Sequence, residues 1–178
     1  MVRPPRIYVV RLGGDDPKLS TALKLVRLGY AERAHLGSLP ARSLILNPYS
    51  NRILSPEDSA IISRNGLTVL DTSWNSRLEA LRGLAGRRSC EQRVLPVLKA
   101  GNPINFGLLT KLSSAEAVAA ALYITGFKDL ALEVLSKFKW GPTFYELNKN
   151  YLERYSRAAS REEVLEIQAE VLRAHGIG

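Results

Sequence analysis

The pattern of the chain changes once, near residue 113, and that change limits the folds open to it. Before it, short apolar runs alternate with helical segments. Residues 6–11 (RIYVVR), 43–46 (SLIL) and 67–70 (LTVL) read as buried strands, with a short final strand expected over 93–98. Residues 17–28, with Leu19, Ala22, Leu23 and Val26 on one face, and residues 75–84 read as helices. A short helix is also expected from Ser55-Pro56-Glu57-Asp58, which offers an N-cap, a first-turn proline and first-turn acids. After residue 113 every signal is helical. Ser113 with Glu116 spells a capping box for a helix ending near Gly126, and residues 129–138 form a second helix closed by Gly141-Pro142. Residues 143–157 form a third, and Ser160 with Glu163 caps the last. Alternating strands and helices imply α/β, a largely parallel sheet covered on both faces. The expected division is an α/β lobe over 1–100, and a joining loop with an all-helical lobe over 101–178, with a cleft between them suited to a small ligand.

Charge follows the same division. Residues 1–100 hold 16 Lys and Arg against 8 Asp and Glu, and residues 101–178 hold nine of each. The whole excess of +8 therefore belongs to the first part, which a polyanion such as RNA would favour. No run of about eighteen apolar residues is present to span a membrane. The start, MVRPPRIYVVRLGG, lacks signal-peptide character, and Cys90 is the only cysteine, so a cytoplasmic setting is expected. There is no GxGxxG after the first strand and no GxxxxGK[ST], and His35 and His175 lack metal-ligand spacing, so no metal site is expected.

The stretch from residue 100 to 117, AGNPINFGLLTKLSSAEA, is long and turn-rich for a plain connection, which suggests that something is held there. Ligands of open parallel sheets sit beyond the C-terminal strand ends. Leu46-Asn47-Pro48-Tyr49, Leu70-Asp71-Thr72-Ser73-Trp74 and Leu95-Pro96 fall there. An adenine fits between Leu46, Pro48 and Leu95, and the helix start at Ser113-Ser114 offers N–H groups to a carboxylate. Trp74 can face a sulfonium or a base, or serve as ordinary core.

Seven motifs occur in order: Asp16-Pro17-Lys18 followed by Lys24-Leu25; Leu46-Asn47-Pro48; Leu70-Asp71-Thr72-Ser73-Trp74; Arg93-x-Leu95-Pro96; Asn102-Pro103-x-Asn105-Phe106-Gly107; Lys111-Leu112-Ser113 with Glu116-Ala117; and Phe138-Lys139-Trp140-Gly141. Together they resemble the small-subunit rRNA aminocarboxypropyltransferases, in an archaeal form, over nearly the whole chain. The resemblance implies a SPOUT-like sheet with a C-terminal trefoil knot, and S-adenosylmethionine as donor. Its 3-amino-3-carboxypropyl arm would go to N3 of a (N1-methyl)pseudouridine in small-subunit rRNA. By motif position, Thr21 and Ser114 would hold the methionyl carboxylate. The backbone of Leu70 would meet the ribose, and that of Leu95 and Thr110 the adenine. Leu46, Pro48, Trp74, Leu112 and Ala117 would wall the pocket. Thr110 stands where the family often has Tyr, and Thr72 where it often has Cys.

Two roles fit Asp71: catalytic base for the weakly acidic uracil N3 proton, or N-cap and positioning residue of the helix that follows. Arg11, Lys18, Lys24, Arg27 and Arg33 are the expected phosphate contacts, as a group. The aromatic residues from Phe138 to Tyr145 read as helix packing. A SPOUT-type RNA methyltransferase and a non-catalytic ribosome-assembly RNA-binding factor are the alternative readings. The expected partner is small-subunit rRNA or a pre-ribosomal particle, met by a monomer.

Overall fold

The computed structural model describes residues 3–13, 16–39, 42–72, 78–85 and 91–177. Two compact units divide the chain: Met1–Arg52 with Ala60–Val94, and Ile53–Ser59 with Leu95–Gly178. The expected boundary at residue 100 thus lies six residues beyond the observed one, and a seven-residue strap from the middle of the chain joins the second unit.

The first unit is built on five parallel strands, β1 (Ile7–Gly13), β2 (Glu32–Ala34), β3 (Leu44–Leu46), β4 (Leu67–Thr72) and β5 (Glu91–Arg93), in the order β2-β1-β4-β3-β5. The central strands are nearly continuous apolar runs because both faces of a parallel sheet are covered. α2 (Ser59–Asn65) precedes β4, and Val10, Ile45 and Leu70 share a core cluster with Leu81 and Leu84 of α3 (Leu78–Ala85). Two strands differ from expectation. β2 is the polar triplet ERA at the sheet edge, too short and polar to announce itself. β5 ends at Arg93, where the expected strand begins, because only residues 91–93 pair with β3.

The helix expected over 17–28 is two elements. Asp16 caps a single 3-10 turn, Pro17–Leu19, by accepting from the Lys18 N–H at 2.9 Å. Ser20 then adopts an extended conformation and caps α1 (Thr21–Arg27), its Oγ accepting from the Leu23 N–H at 3.1 Å. Leu19, placed by periodicity on the buried face, is exposed as a result. Asn47-Pro48 also has a local reason. Buried Asn47 donates through Nδ2 to the Leu81 carbonyl (2.9 Å) and to Gln92 Oε1 (3.0 Å), tying the end of β3 to α3 and β5.

In the second unit α4 (Ser114–Ile124) is buried on nearly all sides, as its Ala-rich sequence demands, and α5 (Lys128–Ser136) and α6 (Gly141–Ser156) pack on it. The Ser113–Glu116 capping box is formed as read. Gly141 turns the corner from α5 to α6. A Cβ there would lie 1.8 Å from the Leu135 carbonyl oxygen, so the Phe138-x-Trp140-Gly141 motif is a packing motif, with its two rings 4.9 Å apart. Ser160 caps α7 (Arg161–Ala174) through the Glu163 N–H. At the start of α7, Arg161 forks onto both carboxylate oxygens of buried Asp58 in the strap, at 3.0 and 3.1 Å, and donates to the Ile53 carbonyl. Burial works against its charge, but the Asp58 bonds and the charges of Asp58 and Glu57 hold the guanidinium above its ordinary pKa.

Residues 97–101 run extended through this helical unit, and side chains complete much of their backbone hydrogen bonding. The Val97 N–H donates to Gln168 Oε1 (3.0 Å), and its carbonyl accepts from the Tyr155 hydroxyl (2.9 Å). Asn148 accepts from the Lys99 N–H and donates to its carbonyl, both at 2.8 Å. Gly101 has no room for a side chain, since a Cβ would meet the Phe144 backbone at 2.6 Å.

Burial raises the pKa of Tyr155 above the ordinary phenol value, about 10 in unfolded chains. The unfolded chain ionises first, so this contribution is whole below roughly pH 10 and is lost as pH rises further. At pH 8, Tyr155→Phe is expected to lose about 1 kcal/mol with the Val97 hydrogen bond. Between pH 9 and 11 the gap should narrow, because the native chain loses stability faster than the variant. Urea unfolding across that range checks it, and parallel pH profiles would contradict it.

Candidate functional site

The first unit gathers three polar side chains where its topology turns. The connection from β1 leads to one side of the sheet and that from β4 to the other, so their C-terminal ends flank a switch point, the usual ligand position in such sheets. Arg11 and Asp71 are register partners there, just before the β1–β4 register shifts. Asp71 Oδ2 accepts from Ser20 Oγ at 2.8 Å and lies 3.5 Å from Arg11 Nη1. The Ser20 hydroxyl therefore caps α1 and orients Asp71 with one atom. Both Arg11 and Asp71 are mostly enclosed, at 14% and 15% side-chain exposure.

This placement corrects one expectation. Asp71 lies within β4, which continues to Thr72, and faces Ser20 and Arg11, so Asp71 is not the N-cap of the helix that follows. Arg11, mostly enclosed beside Asp71, differs in setting from the other expected phosphate contacts. Of these, Lys18, Arg27 and Arg33 are exposed and Lys24 is half-buried. The remaining expected site residues of this unit are also at strand ends or helix starts. Leu46 is buried at the end of β3 and Leu70 within β4, Pro48 is exposed, and Thr21 opens α1. Trp74, like Ser73, falls outside the described residues.

In the second unit the quoted stretch is a small hairpin anchored by one carboxylate. Ala100 exchanges hydrogen bonds with Leu108 and Gly107 (2.8 and 2.7 Å), and the Thr110 N–H donates to the Leu98 carbonyl at 3.0 Å. Glu116, fully buried, accepts from the Gly101 N–H (2.6 Å), the Asn102 N–H (3.2 Å), Asn102 Nδ2 (2.6 Å) and the Ser113 N–H (2.8 Å). Asn102 in turn accepts from the Asn105 N–H at 3.1 Å. The motif residues Asn102, Asn105, Ser113 and Glu116 are thus one hydrogen-bonded clamp that fixes the loop. Thr110 sits at φ +66°. Left-handed backbone costs a β-branched residue roughly 1–2 kcal/mol, and such strain persists where the surroundings impose a direction on the chain. Thr110 is exposed, and Leu95, Leu112, Ser114 and Ala117 are half-buried, with Ser114 the first residue of α4.

Ser20, Asn148, Tyr155 and Gln168 escaped the sequence reading. Ser20 carried a usable signal, a capping residue before an apolar helix, which the extension of that helix back to Pro17 obscured. The other three are single polar residues within helical patterns and carried none. Among the described residues there is no cluster of metal-ligating side chains and no helix long and apolar enough to cross a membrane.

Residues 44–172 match the family model described as "Ribosome biogenesis protein, C-terminal". The 16S rRNA aminocarboxypropyltransferase of Sulfurisphaera tokodaii is 44% identical over 94% of this chain and 95% of that protein. The protein of the same name from Methanocaldococcus jannaschii is 43% identical over 97% and 99%. Among solved structures, the SAM-dependent rRNA:acp-transferase Tsr3 from Vulcanisaeta distributa superposes with a TM-score of 0.82 at 41% identity, covering 98% of each chain.

Proposed function

This chain belongs to the 16S rRNA aminocarboxypropyltransferases, and we propose that it alkylates N3 of a (N1-methyl)pseudouridine in small-subunit rRNA. The donor is S-adenosylmethionine, whose sulfonium already activates the 3-amino-3-carboxypropyl carbon for displacement. The reading carries with it a SPOUT-like, knotted form of the parallel sheet.

The observation that supports a specific mechanism is the Arg11–Asp71–Ser20 group at the switch point. Asp71 takes the N3 proton while Ser20 and Arg11 hold the carboxylate in direction. Thr21 and Ser114 hold the donor's carboxylate, each as the first residue of its helix. The backbone of Leu70 meets the ribose, and that of Leu95 and Thr110 the adenine. Leu46, Pro48, Leu112 and Ala117 supply apolar walls. Lys18, Lys24, Arg27 and Arg33 meet RNA phosphates. The chain's task is to expose the arm and hide the methyl group, so orientation accounts for much of the acceleration.

Pure protein is incubated with unmodified small-subunit rRNA and either carboxyl-labelled or methyl-labelled S-adenosylmethionine. Carboxyl label alone should enter the RNA, and methyl label alone would make the chain a methyltransferase. Asp71→Asn should bind donor yet transfer roughly 100-fold or more slowly, the range of general-base removal. An undiminished rate would sink the base role.

A further inference from the structure

We infer that the tip of the 99–109 hairpin is an apolar wedge that stacks against unpaired nucleobases of the RNA substrate. Ile104 is 89% exposed, Phe106 59% and Leu108 51%, three of the eight large apolar side chains exposed among the described residues, within five positions. Loops that leave such side chains in water are usually mobile or polar. This one is neither: the Lys99–Leu109 bridge, the Ala100 bonds, the Asn102 turn and the Glu116 carboxylate fix its backbone. A rigid backbone presents the three side chains with little ordering entropy left to lose on contact.

The chemistry around the tip selects its occupant. From Lys99 to Leu112 there is no acidic residue, and lysines stand at Lys99 and Lys111, so the apolar tip has cationic flanks. A strand of RNA offers both halves of the match, a phosphate charge and an apolar base face. A second copy of this chain fits less well. Three side chains on a convex tip fall far short of the roughly 1,200 Å² that a stable protein interface buries. The reaction supplies the need, and here the inference rests on the proposed function. N3 of a uracil ring lies on its pairing edge, so the target must be unpaired when it is alkylated. Apolar wedges hold bases apart in this way.

The test uses the full-length protein and a small-subunit rRNA hairpin with 2-aminopurine in its unpaired loop. Binding of the native chain should unstack the probe and raise its fluorescence. Ile104→Ser with Phe106→Ala should weaken binding by about 10-fold or more, the effect of losing base–aromatic stacking, and abolish the fluorescence rise. The melting temperature and donor affinity should stay unchanged, because the side chains lie in solvent. Phe106→Trp should retain both signals. Equal binding and equal fluorescence in the double variant would overturn the wedge. So would a native dimer that the double variant dissolves, since the tip would then be a protein contact. These readouts stand on their own whether or not the native chain transfers carboxyl label, so a failed wedge and a failed functional reading are told apart.

Discussion

Glu116→Ala is expected to lose about 4 kcal/mol or more. Four donors converge on this buried carboxylate, three of them backbone N–H groups of Gly101, Asn102 and Ser113. Hydrogen bonds to charged groups contribute about 1.5–3 kcal/mol each, and a buried donor left without its acceptor costs about 1–3 kcal/mol. Even with relaxation of the loop, the loss is a large part of the 5–15 kcal/mol by which domains are held folded. Glu116→Gln keeps one acceptor oxygen but turns an NH2 group toward N–H donors, so about half the loss should remain. Urea unfolding gives the stabilities, and hydrogen exchange should show the Gly101 and Ser113 amides opening first. On the proposed function donor affinity should fall in step, because Thr110, Leu112 and Ser114, proposed to meet the donor, hang on the same clamp. An Ala variant with an unchanged urea midpoint would mean that water replaces the carboxylate at no expense.

The second large effect is Arg161→Ala, expected to lose about 3–5 kcal/mol, as when one partner of a buried ion pair is removed. Asp58 is 1% exposed and would be left charged and without its fork of two N–H groups. Its contact with the Ser55 N–H does not neutralise a buried charge. Arg161→Lys restores the charge but not the planar fork, so it should recover only part of the loss. Adding Asp58→Asn to Arg161→Ala should cost little more, because the two changes remove one interaction. Additive losses in that cycle would show that the pair is not coupled.

What could be read from the sequence was local. The buried runs IYVV, LIL and LTVL announced strands, and Ser113 with Glu116 announced a helix start, because each rests on residues within four positions of one another. The same Glu116 also clamps Gly101 and Asn102, fifteen and fourteen residues away, and no spacing rule announces that. Asp71 was legible as a polar residue at a strand end, but its partners Ser20 and Arg11 follow from strand order. A sheet ordered β2-β1-β4-β3-β5 brings together strands sixty residues apart. Of the motif residues, Asn47, Asn102 and Gly141 prove to be scaffold, holding turns and close approaches.

The strap has a consequence for synthesis. Asp58 leaves the ribosome 103 residues ahead of Arg161. At translation speeds of roughly 5–20 residues per second it waits about 5–20 seconds for the guanidinium that pairs with it. All five sheet strands are made before that interval ends, but the helical unit cannot close until the start of α7 emerges. Its completion therefore waits on the start of its last helix. A fragment beginning at Leu95 would contain every long helix of this unit and still lack Asp58, so a chain made in that form should expose Arg161 and aggregate where the whole chain folds.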